Sequence, residues 1–329
     1  MRLFTRSDGL ALLAVAIFAG TYPATKEAVA GGLPPVANGV LRTCIAGLCA
    51  AVALAFMRAV PPQRDHWRAT LLVGGGTLLF PCGVGWAVAV LPAGQVGVAM
   101  ALLPLATVLY ASVRGEPLPG WRFWLAGGVA ALLVSAFAAR HASSSGGSGA
   151  LLQAALAVGL AMAAAAVTYV EGGRLARTRP AWQVISWGLV ACLPVTLIFA
   201  IGWCMWAALP TLAGGIGLLY GGIFSAGIGF FPWFAAIAVL GAARAGQIQY
   251  LQPFLALGYG VLLLGERSNA WDLLCAVAVV GVIAWGRAHV TRPSVGTSQI
   301  AGDRTLAACP PSSSPAAPAT SAPIPSLNC

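Results

Sequence analysis

Ten long apolar stretches follow one another along this chain, separated only by short segments that contain Pro, Gly or Arg. They cover residues 9–29, 36–57, 69–90, 92–113, 121–139, 150–170, 182–202, 212–237, 243–264 and 271–288. An α-helix needs about 20 apolar residues to cross the hydrocarbon core of a bilayer. Because the stretches are continuous rather than alternating, they predict helices and not barrel strands. The expected fold class is an all-α membrane protein with ten transmembrane helices.

The composition supports this assignment. Of the 329 residues, 59% are hydrophobic and 8% are charged, whereas a soluble domain carries roughly a quarter charged residues. This excludes an ordinary soluble enzyme, a DNA-binding module and a disordered protein. The net charge of +10 is interpreted as orientation information rather than as a nucleic-acid footprint. The expected partners are the lipid bilayer and a small-molecule substrate, with no nucleic acid and with a homodimer left open.

The distribution of basic residues predicts the orientation. With the N-terminus in the cytoplasm, thirteen arginines fall in cytoplasmic segments, and only Lys26, Arg140 and Arg267 fall outside. Such a bias is the positive-inside signal. It predicts a multi-pass protein of the cell (inner) membrane with both termini cytoplasmic.

Both ends of the chain need separate interpretation. Ala28-Val29-Ala30 resembles a signal-peptidase site, so cleavage there is an alternative to a first transmembrane helix. At the other end, residues 290–329 are rich in Pro, Ser and Ala. Such a segment cannot bury a core, and it predicts a disordered tail.

The two halves of the chain repeat each other at an offset of about 150 residues. The matched positions are Leu102 and Leu251, Pro104 and Pro253, Tyr110 and Tyr259, Gly115-Glu116 and Gly265-Glu266, and Thr21-Tyr22 and Thr168-Tyr169. Each half holds five helices, and since five is odd, the second half enters the membrane from the opposite side. This predicts two inverted-topology repeats, the architecture of many secondary transporters. The expected boundaries are 1–145, 146–289 and a tail of 290–329.

These features resemble a known family. The ten helices, the inverted halves, the two apolar–Pro–apolar segments that end in Gly-Glu, and Leu41-Arg42 in the second stretch are similar to the drug/metabolite transporter superfamily, and more narrowly to its EamA-type branch. The resemblance covers about residues 9–289. It implies secondary or facilitated export of a small metabolite, such as an amino acid, by alternating access through a central cavity. The second half has no arginine that matches Arg42.

Polar and aromatic side chains within the apolar stretches are candidates for substrate contact. Gln249, Gln252 and Tyr259 share one face of the ninth stretch at helical spacing, and Thr107 and Tyr110 share the equivalent face of the fourth. Polar groups are costly in lipid, so these faces should turn inward; the alternative is helix–helix hydrogen bonding. The predicted substrate-binding residues are Thr21, Tyr22, Trp86, Thr107, Tyr110, Tyr169, Phe230, Trp233, Gln249, Gln252 and Tyr259.

Two prolines and two basic residues complete the predicted site. Pro104 and Pro253 lie within their stretches at matched positions. Each removes a backbone hydrogen bond, which makes both candidate hinges or gates, or else tolerated kinks. Lys26 and Arg42 lie near the predicted outer side. They are interpreted as outer-mouth charges that attract an anion, or as residues that pair with Glu27 or snorkel.

No sequence motif indicates enzymatic chemistry. G-x-S-x-G, Walker A and H-E-x-x-H patterns are absent from the chain, and no catalytic residue, metal ligand or cofactor is predicted. The alternative function is a membrane-embedded enzyme or assembly subunit acting on lipid-linked substrates. It requires polar catalytic groups clustered at one interface, and the sequence shows none. A receptor is a third class, but it would need a folded soluble domain.

Overall fold

A helix lies at the position of each of the ten predicted stretches. The computed structural model describes residues 6–115, 120–142, 147–267 and 269–288. The first repeat contains a first helix made of Arg6–Ala19 and Thr21–Ala30, then Pro35–Phe56, Trp67–Val90, Ala93–Val113 and Trp121–Ala142. The second repeat contains Gly147–Leu175, Ala181–Trp206, Leu212–Ile237 within a longer helical segment, Gln249–Leu264 and Ala270–Ala288. We number these helices first to tenth in chain order.

Length and hydropathy agree with membrane-spanning helices. Seven helices are long and apolar enough to cross a bilayer within the described residues. Shorter apolar helices over Trp121–Val134, Gln249–Leu264 and Ala270–Val282 fill the fifth, ninth and tenth positions. Large apolar side chains such as Val52, Phe56 and Leu262 lie on the outer surface and are mostly exposed. An apolar exterior of this extent suits lipid rather than water.

Proline and glycine set several helix ends. Pro35 occupies the first turn of the second helix, and Pro92 and Pro180 directly precede the fourth and seventh. A missing N–H costs nothing at these positions, because the first turn has no acceptor for it. Gly265 ends the ninth helix with a φ of 63°, a left-handed conformation that glycine adopts without strain.

The connection between the eighth and ninth helices differs from the expectation. The sequence predicts a break at residues 238–242, whereas the backbone stays helical from Phe230 to Ile248. The segment Gly241-Ala242-Ala243-Arg244-Ala245 contains no proline. Because alanine and arginine are strong helix formers, the helix continues through this segment between the eighth and ninth apolar stretches.

Helix packing is equivalent in the two repeats: where two helices pack, their counterparts in the other repeat pack as well. The third helix packs on the sixth, and its counterpart, the eighth, packs on the first. The second helix packs on the seventh, the fourth on the ninth and the fifth on the tenth, so each of these pairs maps onto itself. All these helices belong to one compact unit that ends at Val290. The predicted disordered tail lies outside the described residues.

Candidate functional site

A cavity lies between the repeats. The non-atom space within it, including space open to solvent, is about 530 Å³. Its walls come from the first four helices of the first repeat and from the sixth, eighth and ninth helices. The lining residues are Phe18, Thr21, Tyr22, Arg42, Gly76, Thr77, Phe80, Leu103, Ala165, Thr168, Tyr169, Ser225, Ala226, Phe230 and Gln252. Residues far apart in the chain are thus brought to one site, which we call the central cavity.

The lining of the central cavity is built largely from matched positions of the two repeats. At the offsets of 147 and 149 residues seen in the sequence repeat, the lining pairs are Phe18 with Ala165, Thr21 with Thr168, Tyr22 with Tyr169, and Leu103 with Gln252. The cavity therefore lies at the boundary between the two repeats. Its chemistry is not symmetric, because Arg42 has no charged counterpart and the counterpart of Gln252 is Leu103.

Arg42 is the charged group of the central cavity. Its side chain is 2% exposed, and its Nη2 donates to Ser225 Oγ at 2.8 Å. Ser225 Oγ is also hydrogen-bonded to Thr21 Oγ1. The sequence groups Arg42 with Lys26 at an outer mouth, whereas the structure places it on the cavity wall.

Local backbone structure positions Ser225. Residues Tyr220–Ile228 of the eighth helix form a π-helix, a rare geometry that is frequent at functional sites. Gly221 lies in this segment, and a Cβ there would sit 2.9 Å from Arg42 Cδ. The glycine therefore allows the π-helical segment to approach the arginine side chain.

Two glutamines link the ninth helix to tyrosines of the first and sixth. Gln252 Nε2 donates to Tyr22 OH at 2.9 Å. Gln249 Nε2 lies 3.4 Å from Tyr169 OH and from Gln252 Oε1. The polar face predicted for the ninth helix therefore turns inward at Gln249 and Gln252. Gln252 lines the central cavity, and both glutamines form hydrogen bonds to other helices.

Aromatic rings form a second wall. Phe18 packs on Phe230 with ring centroids 5.0 Å apart, and on Trp233 at 5.9 Å. Tyr169 packs on Trp233 at 5.6 Å. Phe230 lines the central cavity, whereas Trp233 lies behind it and is buried. Phe18 and Phe230 therefore give the central cavity an apolar surface suited to an apolar moiety.

Each of the two predicted hinge prolines lies just after a 3₁₀ turn. The turn Met100–Leu102 precedes Pro104, and Gln249–Leu251 precedes Pro253. A proline cannot donate to the carbonyl four residues earlier, so the helix tightens locally in both repeats. A 3₁₀ stretch inside a longer helix often marks a hinge.

Six predicted substrate residues lie outside the lining of the central cavity, namely Trp233 and Gln249, described above, and four others. Trp86 is 43% exposed, Tyr259 is half-buried, and Thr107 Oγ1 donates to Leu103 O of its own helix at 2.9 Å. Tyr110 OH donates to Glu171 Oε1 at 2.8 Å.

Glu171 forms a buried polar cluster with Tyr110 and Arg114. The carboxylate is 1% exposed, and Arg114 Nε lies 2.6 Å from Glu171 Oε1. Arg114 itself is 44% exposed at the side chain. The cluster joins the end of the fourth helix to the sixth. The pairing of Arg114 with Glu171 spans 57 residues of sequence and leaves no local signal.

Lys26 lines a second cavity, separate from Arg42. Its Nζ donates to the backbone carbonyls of Val88 and Leu91, where the third helix ends. Glu266 lines the same cavity, and its carboxylate accepts from the N–H groups of Ala93 and Gly94 at 2.7 and 3.1 Å. The repeat partner of Glu266, Glu116, lies outside the described residues.

Several cavity residues were not predicted from the sequence. Phe18, Phe80, Thr77, Thr168 and Ser225 line the central cavity. Thr168 could have been found, because it matches Thr21 in the repeat. In the sequence, Ser225 stands in a stripe of small residues every four positions, with Gly217, Gly221 and Gly229, a pattern typical of helix packing.

Two inverted five-helix repeats around a central cavity are the architecture of many secondary transporters. The EamA-like transporter family model matches this chain twice, over residues 5–140 and 152–285. The chain therefore belongs to the EamA-like transporter family. It is a transporter and not an enzyme, so the alternative of an enzyme acting on lipid-linked substrates falls away.

Individual relatives agree with this assignment. The chain is similar to a Bacillus subtilis (strain 168) protein named Uncharacterized transporter YdeK, with 34% identity over 283 residues that cover 84% of this chain and 94% of the relative. It is also similar in fold to a crystal structure at a TM-score of 0.59 and 19% identity, covering 84% of this chain and 95% of that one. The match to the solved structure supports the fold alone.

Proposed function

We propose that this protein is a secondary or facilitated transporter that exports a small metabolite, an amino acid or a related compound, by alternating access. The observation that carries this proposal is the central cavity, whose lining comes from matched positions of both repeats. A site on the boundary between inverted repeats can be opened to either side by rocking one half against the other. Pro104 and Pro253 are proposed as the hinges of this motion.

We further propose the setting of the protein. The arginine distribution favours the cell (inner) membrane with both termini in the cytoplasm. The repeat boundaries are proposed at residues 1–145 and 146–289, with 290–329 as a tail. A homodimer is a further proposal, tested by the mass of the purified protein in detergent. Accessibility of single cysteine tags at the two termini tests the orientation.

The function is tested by flux in proteoliposomes. Purified full-length protein would be assayed with labelled amino acids and other metabolites, with and without a pH gradient, beside empty liposomes. Saturable flux of at least one solute, weakened by Gln252→Ala, is the expected result. A correctly folded protein that moves none of the solutes would contradict the proposal, and a gradient dependence would require a titrating group on the pathway.

A further inference from the structure

We propose that Arg42 binds the carboxylate of the transported solute, so that the central cavity selects organic monocarboxylates over their uncharged analogues. This inference rests on the proposed function, because it takes the central cavity as the transport site. It adds the chemical class of the solute and the orientation in which the solute binds.

The first support is the hydrogen bonding of Arg42. A guanidinium carries five N–H donors and is charged at every physiological pH. In this structure Nη2 is bonded to Ser225, whereas Nε and Nη1 are buried without a hydrogen-bond partner. These two nitrogens carry three of the five donors. Buried donors of a charged group are strongly destabilising when unpaired, so the site is incomplete in chemical terms.

The second support is the position of the charge. Arg42 lies seven residues into the second helix, about 10 Å along its axis at 1.5 Å per residue. Among the residues that the structure describes, no carboxylate forms an ion pair with it. An arginine held at this depth without a counter-ion indicates a substrate or ion pathway. An anionic solute would supply the missing charge.

The third support is the fixed orientation of the guanidinium. Ser225 holds Nη2, and Thr21 in turn holds Ser225. Gly221 leaves room for the stem of the arginine, since a Cβ there would lie 2.9 Å from Cδ and 3.3 Å from Nε. Each planar donor pair of an arginine includes Nη2, so the second hydrogen of Nη2 together with Nε or Nη1 would meet the two oxygens of a carboxylate. The side chain is thus pre-organised for this group.

The rest of the central cavity fits the remainder of such a solute. Phe18, Phe80, Phe230 and Leu103 provide an apolar wall, and Gln252 provides an amide near Tyr22. Among the described lining residues there is no aspartate or glutamate. The cavity therefore offers one cationic contact and apolar surface, and this combination matches a monocarboxylate with an apolar body.

Matched acid and amide pairs test the proposal. The probes are 3-phenylpropionate with 3-phenylpropanamide, and phenylalanine with phenylalaninamide, titrated into the purified full-length protein by calorimetry. We expect each acid to bind about tenfold or more tightly than its amide, because hydrogen bonds to charged groups contribute that much. Arg42→Gln should remove this preference. Arg42→Lys, which keeps the charge but not the planar fork, should keep part of it.

Controls make each outcome decisive. Arg68 is exposed, and Arg68→Gln should bind the probes as the wild type does. Equal binding of acid and amide by the wild type, no binding of either acid to folded wild type, or an acid preference that survives in folded Arg42→Gln would overturn the proposal. Saturable flux of neutral solutes without acid preference would leave the transport function standing and remove only the role of Arg42.

Discussion

Arg42 on the second helix donates a hydrogen bond to Ser225 on the eighth, with 2.8 Å between Nη2 and Oγ. The contact joins the two repeats across 183 residues of sequence. Both residues line the central cavity. The bond therefore links the packing of the repeats to the one cationic group of the described lining. A substitution of Ser225 should change the orientation of that group.

Ser225→Ala should weaken solute binding more than it weakens folding. It removes the partner of Nη2 and leaves Arg42 free to rotate, so the apparent affinity for a transported acid should fall about tenfold. Flux in proteoliposomes over a range of solute concentrations measures this effect. Ser112→Ala is the matched control, since Ser112 Oγ donates to Val108 O of its own helix. An equal effect of the two changes would argue against the prediction.

Gly221→Ala should lower both stability and affinity. The new Cβ would press on Arg42 Cδ and Nε, and relief requires either the arginine or the π-helical segment to move, at a cost of about 1–3 kcal/mol. Thermal unfolding in detergent reports the first effect and solute titration the second. Gly215→Ala in the same helix is the control, because a Cβ at that position meets nothing within 4 Å. If both variants unfold alike, the close approach is not important.

The pair Gln252 and Tyr22 should be coupled. Gln252→Ala and Tyr22→Phe each break the same 2.9 Å hydrogen bond between the ninth and first helices, so the double variant should be less harmful than the sum of the single ones. Such bonds in membrane proteins average about 0.6 kcal/mol and reach about 1.7. A double-mutant cycle on unfolding free energy in mixed micelles gives the coupling, and strict additivity would refute it.

Arg114→Gln should destabilise the protein more than Glu171→Gln does. Removing the arginine leaves a buried carboxylate without its cation, whereas removing the carboxylate charge leaves a half-exposed arginine that water can solvate. We expect a difference of about 1–2 kcal/mol after allowing for solvent screening of Arg114. The combined variant should be more stable than Arg114→Gln alone. Unfolding temperatures of the three proteins decide this, and the reverse order would contradict it.

Pro104→Ala and Pro253→Ala should slow turnover without weakening binding. Each variant restores a backbone donor and favours continuation of the α-helix through the 3₁₀ turn, so a hinge should stiffen. We expect the maximal flux to fall severalfold while the concentration for half-maximal flux stays the same. Pro194→Ala is the control, because Pro194 lies inside one continuous α-helix. Unchanged flux in both test variants would identify the prolines as tolerated kinks.

The sequence predicts the helices well because their signal is local. A stretch of about twenty apolar residues that ends before Pro92 or Gly265 predicts a membrane-spanning helix independently of the rest of the chain. The inward faces were also readable where polar residues recur at helical spacing, as for Gln249 and Gln252. The repeat then pointed to the matched residues Tyr22 and Tyr169.

The residues that the sequence placed differently depend on long-range contacts. Tyr110 shares a helix face with cavity residues, but its hydroxyl is drawn to Glu171, which no spacing rule connects to it. Arg42 looked peripheral from its position in the chain, and only the approach of the π-helical segment at Ser225 shows that it faces inward. Thr107 satisfies its hydroxyl on its own helix, an option open to any threonine in a helix.

The matched lining of the central cavity is charged on one repeat only, and this has a consequence for transport. In the proposed mechanism, a solute bound through Arg42 would keep its carboxylate against the second helix while the two halves rock. It would then leave with its anionic end leading toward one compartment and its apolar end leading toward the other. The same molecule would therefore be released at unequal rates on the two sides, so the two directions of transport would differ in their kinetics although the gradient alone sets the net flux.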